Sequence, residues 1–278
     1  MSLKDLQILS TYIPEEDPVN TFYGPSLSRA KHYIRAAGYF RSTLLELIPE
    51  YLHSFVVNGG KIQLICSPDL TENDVQTIFE STNKRNQLIN FEVDQLLNDL
   101  KTKNSDKIFA SLIKFDVLEI KFVFKKRGIF HQKWGVLTDD LKDKVYFSGS
   151  VNETYAAWSN EINSENLETR CSWKSEDDLE VILKKEKYFL DIWENKTPGI
   201  SAESMSLEVK EKIELRGYPQ QEEFVKELAN IDKIRSENNN INHNPSNSIS
   251  LLSKARKHQK EAIEYWKNNN FKAMIKHA

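Results

Sequence analysis

With 39% apolar residues among 278, the chain can bury one sizeable core and carry an appendage besides. Its formal net charge of −3 excludes the global basic character of many nucleic-acid-binding proteins, so any site for a polyanion must be local. The two cysteines, Cys66 and Cys171, lie in apolar runs without metal-ligand spacing, and no leader segment or long apolar span occurs. We therefore expect a cytoplasmic protein with reduced core cysteines.

Regular elements are predicted from the first third of the chain onwards. Residue spacing predicts a helix over Ser26–Ala36 and a short buried strand over 37–40. An amphipathic helix is expected over 44–57, ending at the Asn-Gly-Gly stop of residues 58–60. The apolar run Lys61–Cys66 predicts the next strand.

The middle of the chain continues this alternation. After a turn at residues 67–70, a helical segment is expected over 72–103, with a break near Asn83. A second helix over 106–115 and a strand over 118–124 follow. Strands alternating with helices predict an α/β fold, with a sheet covered by helices on both faces.

A histidine and a lysine two residues apart mark the most informative segment. The residues Ile129–Leu137 predict a strand, on which His131 and Lys133 would share one face. Phe130, Trp134 and Val136 would fill the other face. A lone pair of this kind is common, so its meaning depends on the residues that come after it in the chain.

A returning strand and a polar helix start come next. Asp139–Lys144 is turn-like, and Val145–Phe147 predicts the second strand of a hairpin. Ser150–Glu153 has the form of a capping box, which predicts a helix over 151–158. Unpaired N–H groups at a helix N-terminus suit a phosphate, and Ser150 and Asn152 would add donors there.

These residues, His-x-Lys followed by Gly-Ser-x-Asn, resemble the HKD motif of the phospholipase D superfamily, which includes lipases, nucleases and restriction endonucleases. The resemblance implies a mixed β-sheet with helices on both faces, no cofactor and a covalent phosphohistidine mechanism. His131 would be the nucleophile, while Lys133, Ser150 and Asn152 would hold the phosphate oxygens. Downstream, Asn163-Ser-Glu165 is similar to the Asn-x-Glu element of the nuclease branch, so Glu165 would orient the histidine.

The family's aspartate falls five residues after the lysine, and here that position holds Thr138. Asp139, next to it, is the candidate for this largely structural acid. The departure keeps open a second hypothesis, a catalytically inactive DNA-binding or partner-docking module. A lipid phosphodiesterase is the weakest alternative, because no basic amphipathic helix suited to a membrane surface occurs.

A local basic strip lies beside the motif, in a stretch without acidic residues. It comprises Lys121, Lys125, Lys126 and Arg127. Such a strip is the footprint that a polyanion needs, although a solvated loop would show the same composition. We expect nucleic acid as substrate, DNA rather than RNA, and defence or repair proteins as further partners. The scattered histidines predict no metal site, and no binding to a membrane is expected.

Roughly residues 20–215 also resemble the phospholipase D-like module at the N-terminus of bacterial superfamily 2 helicases of the DEAD/DEAH type. Ala37-Gly-Tyr-Phe, Asn58-Gly-Gly-Lys and Phe189-Leu-Asp-Ile-Trp carry this resemblance. Three parts are expected: a phospholipase D-like domain over 1–215, a helix and Asn-rich linker over 216–250, and the truncated start of a helicase-like domain over 251–278.

In that last part, Arg256 and Gln259 resemble the adenine-contacting element before the ATP-binding loop. The sequence contains no phosphate loop, so no ATPase activity is expected. The family reaction uses two histidines, and the N-terminal half has no second His-x-Lys. A homodimer that pairs two copies of His131 is therefore expected.

Overall fold

The computed structural model describes residues 2–13, 16–38, 48–68, 78–99, 103–149 and 167–241. The chain divides into two compact units, residues 1–233 and 234–278, and all contacts below lie within the first. The predicted boundary near residue 215 stays a prediction, although Phe224 and Leu228 are fully buried in the core of the first unit.

Within the described residues, eight strands form one mixed sheet in the order β1-β7-β6-β5-β2-β3-β4-β8. The strands are β1 (Thr11–Tyr12), β2 (His32–Ala37), β3 (Lys61–Cys66), β4 (Leu118–Lys125), β5 (Trp134–Thr138), β6 (Lys144–Gly149), β7 (Leu167–Cys171) and β8 (Ile200–Ser204). The central strands β2, β3 and β4 are parallel, and the flanking pairs are antiparallel. The predicted strand at 61–66 and the β5–β6 hairpin are confirmed.

Helices cover both faces of the sheet, as predicted. They are α1 (Gly24–Arg29), α2 (Pro49–Val57), α3 (Thr82–Asp99), α4 (Lys103–Lys114), α5 (Glu176–Trp193), α6 (Leu207–Glu214) and α7 (Gln221–Ile241). Side chains of α1 to α4, α6 and α7 contribute to the large core on one face. On the other face, Ile182, Phe189 and Ile192 of α5 pack on the strands in a second core.

Two predicted elements away from the candidate site differ from the structure. The spacing of Ser26–Ala36 predicts one helix, but α1 ends at Arg29 and β2 begins at His32. Ala30 adopts an extended conformation between them, and β2 then pairs with strands on both sides. The Asn-rich stretch over 236–247 is predicted to be an exposed loop or linker, but α7 continues to Ile241, so the first residues of that stretch are helical.

Candidate functional site

One edge of the sheet collects the chain segments that carry the candidate site. The parallel strands β2, β3 and β4 all end there, at Ala37, Cys66 and Lys125. The antiparallel pairing places the start of β5 at the same edge, because Trp134 lies opposite Ala36. Gly149, at the end of β6, lies opposite Leu167, at the start of β7. We call this the carboxyl edge; in open α/β sheets, ligands bind outside the carboxyl ends of the strands.

His131 and Lys133 lie at the carboxyl edge, immediately before β5. The strand prediction for 129–137 is thus correct from Trp134 onwards and wrong for the two candidate catalytic residues. The Lys133 Nζ atom lies 3.0 Å from Nε2 and 3.1 Å from Nδ1 of His131. Since His131 is exposed and Lys133 half-buried, a ligand from solvent can reach the imidazole and the ammonium group together.

The predicted alternation of side chains holds for the apolar set. Phe130, Trp134 and Val136 are all buried in the core beneath α5. This apolar anchor fixes the chain on both sides of the candidate pair. The imidazole and the ammonium group are therefore carried by a segment whose flanking residues are bound to the core.

The structure brings the second motif element to the first through Gly149. Its N–H donates to the Lys133 carbonyl oxygen at 3.3 Å, which extends the β5–β6 ladder by one step. Three predicted site residues, Ser150, Asn152 and Glu165, lie outside the described residues, as does the predicted helix over 151–158. Their roles stay predictions; Ser150 follows Gly149 directly in the chain.

The basic strip divides into two parts. Lys126 and Arg127 are exposed in the turn after β4, at the carboxyl edge, and Gly128 in this turn has a positive φ of 69°. Lys125, half-buried, is the last residue of β4. From there the chain crosses the ends of β3 and β2 to reach β5, a distance of about 14 Å at three strand spacings. The turn therefore leads along the edge to His131.

Lys121 lies elsewhere. Its Nζ atom donates to the Trp193 carbonyl oxygen at 3.0 Å and lies 4.6 Å from the centre of the indole ring. It is half-buried within β4, about 13 Å before the end of that strand. The structure thus does not bring Lys121 into the strip at the carboxyl edge, and engages its ammonium group in packing against α5.

Asp139 is fully buried at the opposite end of β5. Its carboxylate accepts hydrogen bonds from the N–H groups of Leu3 (2.8 Å), Leu141 (2.9 Å) and Asp143 (2.9 Å) and from the Ser2 hydroxyl (3.1 Å). These bonds close the β5–β6 turn and tie it to the N-terminal segment. They support a structural role for this acid.

Sequence reasoning missed Arg35, a fully buried arginine in β2. Its guanidinium lies 5.0 Å from the centre of the Phe147 ring, and its strand partner in β5 is Gly135. An added Cβ at Gly135 would lie 2.7 Å from Phe147, so the glycine makes room for that ring. A charged residue inside an apolar strand such as Ile34-Arg-Ala-Ala37 was the available signal.

Three further observations concern metal ligands, thiols and membrane spans in the part of the chain that the structure describes. No group of three or more His, Cys, Asp or Glu side chains there could hold a metal ion. Cys66 and Cys171 are free and buried, as predicted, and desolvation raises the pKa of the Cys171 thiol to about 11. Every helix within the described ranges is too short or too polar to cross a bilayer.

Several solved structures are similar to this chain. NucT from Helicobacter pylori is 20% identical, with 70% of this chain and 98% of that chain covered and a TM-score of 0.42. Phosphatidylserine synthase from Haemophilus influenzae Rd KW20 is 15% identical, with coverage of 79% and 43% and a TM-score of 0.42. The phospholipase D family member Nuc from Salmonella typhimurium is 16% identical, with coverage of 66% and 92% and a TM-score of 0.36.

No family model matches the sequence, and no curated protein matches it. Because the TM-scores of the three structures lie below 0.5, a functional proposal has to rest on the residues of the site itself.

Proposed function

We propose that this protein is a phosphodiester hydrolase of the phospholipase D type that cleaves nucleic acid through a covalent phosphohistidine. The observation that carries the proposal is the Lys133 ammonium beside the exposed His131 imidazole at the carboxyl edge. An imidazole is a nucleophile, and an adjacent fixed cation stabilises the charge that develops on the phosphoryl oxygens.

The reaction has two steps. An imidazole nitrogen of His131 attacks phosphorus, an N–P bond forms, and the P–O bond to the leaving ester oxygen breaks. A second group protonates that oxygen, and the proposed source is His131 of a second copy of the chain. Water then attacks phosphorus, its proton returns to that histidine, and the N–P bond breaks to restore His131 and release a phosphomonoester. Lys133 neutralises phosphoryl charge in both steps.

Nucleic acid is the proposed substrate class because Lys126 and Arg127 are exposed on the turn that leads along the same edge. A phosphate backbone carries regularly spaced negative charge, so contacts beside the reacting diester would position the strand. We propose DNA rather than RNA as the substrate. The resemblance to helicase-associated modules makes a DNA-processing or defence helicase the proposed context. Arg256 and Gln259, which add to that resemblance, lie outside the described residues.

The test compares wild type with His131→Ala on plasmid DNA and on a fluorescent oligonucleotide. The variant should lose cleavage by at least about 1,000-fold while its thermal unfolding midpoint stays unchanged, because an exposed side chain adds little to the core. The matched control is His32→Asn, an exposed histidine at the opposite end of β2, which should cleave like wild type.

Trapping the intermediate separates the covalent mechanism from general-base catalysis. Acid-labile, base-stable label from 32P-DNA should appear on wild type after rapid quenching and be absent from His131→Ala. Cleavage retained by His131→Ala would refute the proposal. An inert wild type that still binds duplex DNA in a salt-dependent manner would favour the alternative, an inactive binding or docking module.

A further inference from the structure

The side chain between the two candidate catalytic residues is held by a tyrosine of α5. The Gln132 Nε2 group donates to the Tyr188 hydroxyl at 3.0 Å, and the Trp134 indole N–H donates to Gln132 Oε1 at 2.7 Å. Both polar ends of the Gln132 amide are therefore bonded, one to α5 and the other to the first residue of β5. We call this arrangement of Gln132, Tyr188 and Trp134 the clamp.

The clamp acts where sheet hydrogen bonding stops. His131 and Gln132 belong to no strand, and the extension of the β5–β6 ladder reaches Lys133 through the Gly149 N–H. Backbone outside a ladder has more freedom to move, which a nucleophile cannot tolerate, since a displacement of about 1 Å can cost 100-fold in rate. The Gln132 side chain supplies the restraint that the ladder lacks.

Trp134, the inner end of the clamp, is itself fixed. Its side chain is buried, and its ring packs edge-on against Phe189 of α5 at a centroid distance of 6.3 Å. The Lys185 Nζ atom lies 5.2 Å from the centre of the indole ring, and burial lowers the pKa of this lysine. The clamp therefore joins the catalytic segment to a rigid part of α5, one turn of which carries Lys185 and Tyr188.

We propose that Tyr188 and Gln132 are positioning residues that hold His131 and Lys133 in their reactive arrangement. The side chains of Phe130, Gln132 and Trp134 all face α5. The hydrogen-bonded Gln132 amide therefore keeps the intervening His131 and Lys133 side chains turned away from that helix. The kinetic effect expected from this inference rests on the proposed function. The inference also predicts that the His131 ring is held in one orientation, and this can be measured whether or not the protein is active.

The experiment uses Tyr188→Phe, Gln132→Leu and the double variant. Each single change should lower kcat by about 10- to 100-fold, with KM within a factor of about two, because DNA binding is retained while the nucleophile loses its alignment. The double variant should lose no more than the worse single variant, since both changes break one clamp. Tyr51→Phe is the matched control: its hydroxyl donates to Asn20 Oδ1 at 2.9 Å, on α2 against the other face of the sheet.

A readout independent of activity is the NMR signal of the His131 ring C–H groups, assigned with His131→Ala. It should be a single sharp signal in wild type and in Tyr51→Phe, and shifted or broadened in Tyr188→Phe. Unchanged ring signals, unchanged kcat or additive losses in the double variant would each overturn the clamp. If wild type is inert or His131→Ala still cleaves, the proposed function fails, and the ring signals alone then decide the clamp.

Discussion

Lys133 and Asp139 flank strand β5 at its two ends, separated by roughly 20 Å along the extended chain. The Lys133 ammonium group lies beside the His131 imidazole. At the other end of the strand, the Asp139 carboxylate accepts hydrogen bonds from N–H groups of the β5–β6 turn. The Asp139 carboxylate therefore lies at the other end of β5 from the two candidate catalytic residues. Its hydrogen bonds hold the β5–β6 turn, which is consistent with the structural role predicted for this acid.

Asp139→Asn should destabilise the fold without changing the chemistry. The substitution puts an NH₂ group and a single acceptor in place of a carboxylate that accepts several bonds, so buried N–H donors lose partners. We expect a loss of about 3 kcal/mol, measured by urea unfolding. The control is Asp140→Asn, whose side chain is 72% exposed and whose ion pair with Lys31 should contribute under about 1 kcal/mol. Loss of kcat in folded Asp139→Asn would contradict the structural assignment.

Gly135→Ala should also destabilise the protein. A Cβ there would lie 2.7 Å from the Phe147 ring and 3.0 Å from the Tyr33 ring, and both rings are buried in the main core. We expect a cost of about 1–3 kcal/mol from displaced rings, seen as a lower thermal midpoint. The comparison is Gly128→Asn. A Cβ at Gly128 would have no atom within 4 Å, and Asn tolerates the positive φ of 69° at this position, so the thermal midpoint should change little. Equally small changes in the thermal midpoint for the two variants would show that the core accommodates a Cβ at Gly135 without cost.

The sequence was sufficient where local signals and tertiary structure agree. Lys61–Cys66 is an apolar run between turn residues, and it forms a strand with those bounds. The Asn58-Gly-Gly stop ends α2, where Gly59 takes a positive φ of 71°. The break predicted near Asn83 is found just before Thr82, where α3 begins.

Two errors have the same physical origin, namely that long-range pairing decides the conformation. Residues 32–36 have helical spacing, but they form the strand that β3 and β5 hold between them. The sequence around His131 is typical of a strand. However, residues 126–133 have to cross the ends of β3 and β2 before the chain can pair with β2 as strand β5. The sequence alone does not contain the strand order, and so could not place the start of β5 or remove Lys121 from the basic strip.

Cleavage should survive chelation. In the proposed mechanism the Lys133 ammonium group supplies the positive charge for the phosphoryl oxygens that a metal would otherwise provide. Ser150 and Asn152, which lie outside the described residues, are predicted to add hydrogen-bond donors. Activity in about 10-fold excess EDTA over protein should therefore equal activity in untreated buffer, assayed on the same oligonucleotide. A magnesium-dependent nuclease in the same buffer serves as the positive control for chelation. Loss with EDTA and recovery with magnesium would contradict the mechanism.

Lys126→Gln should weaken DNA binding and make the binding constant less dependent on salt concentration. Removing an exposed lysine that contacts one phosphate should lower the magnitude of the slope of log K against log salt by about 1. The matched control is Lys142→Asn, which removes one exposed charge from the β5–β6 turn at the opposite edge and should leave the slope unchanged. Fluorescence anisotropy with a labelled duplex measures both slopes. Equal slopes for Lys126→Gln and wild type would remove this turn from the DNA interface.

Activity should require two copies of the chain. The proposed reaction needs a nucleophile and an acid for the leaving oxygen, and the other histidines in the described part of the chain lie elsewhere. His32 is at the far end of β2, and His53 is in the middle of α2. A two-fold dimer would supply the acid from its second His131, so a mixed dimer with one His131→Ala subunit lacks one of the two groups.

Adding an equal amount of His131→Ala to wild type and allowing subunit exchange should roughly halve the cleavage rate, because half of the wild-type subunits enter mixed dimers. The same variant added just before the assay, without time for exchange, should have no effect. Sedimentation at the assay concentration should show the dimer. A rate that is unchanged after exchange, or a monomer that cleaves at that concentration, would mean that one chain contains both groups.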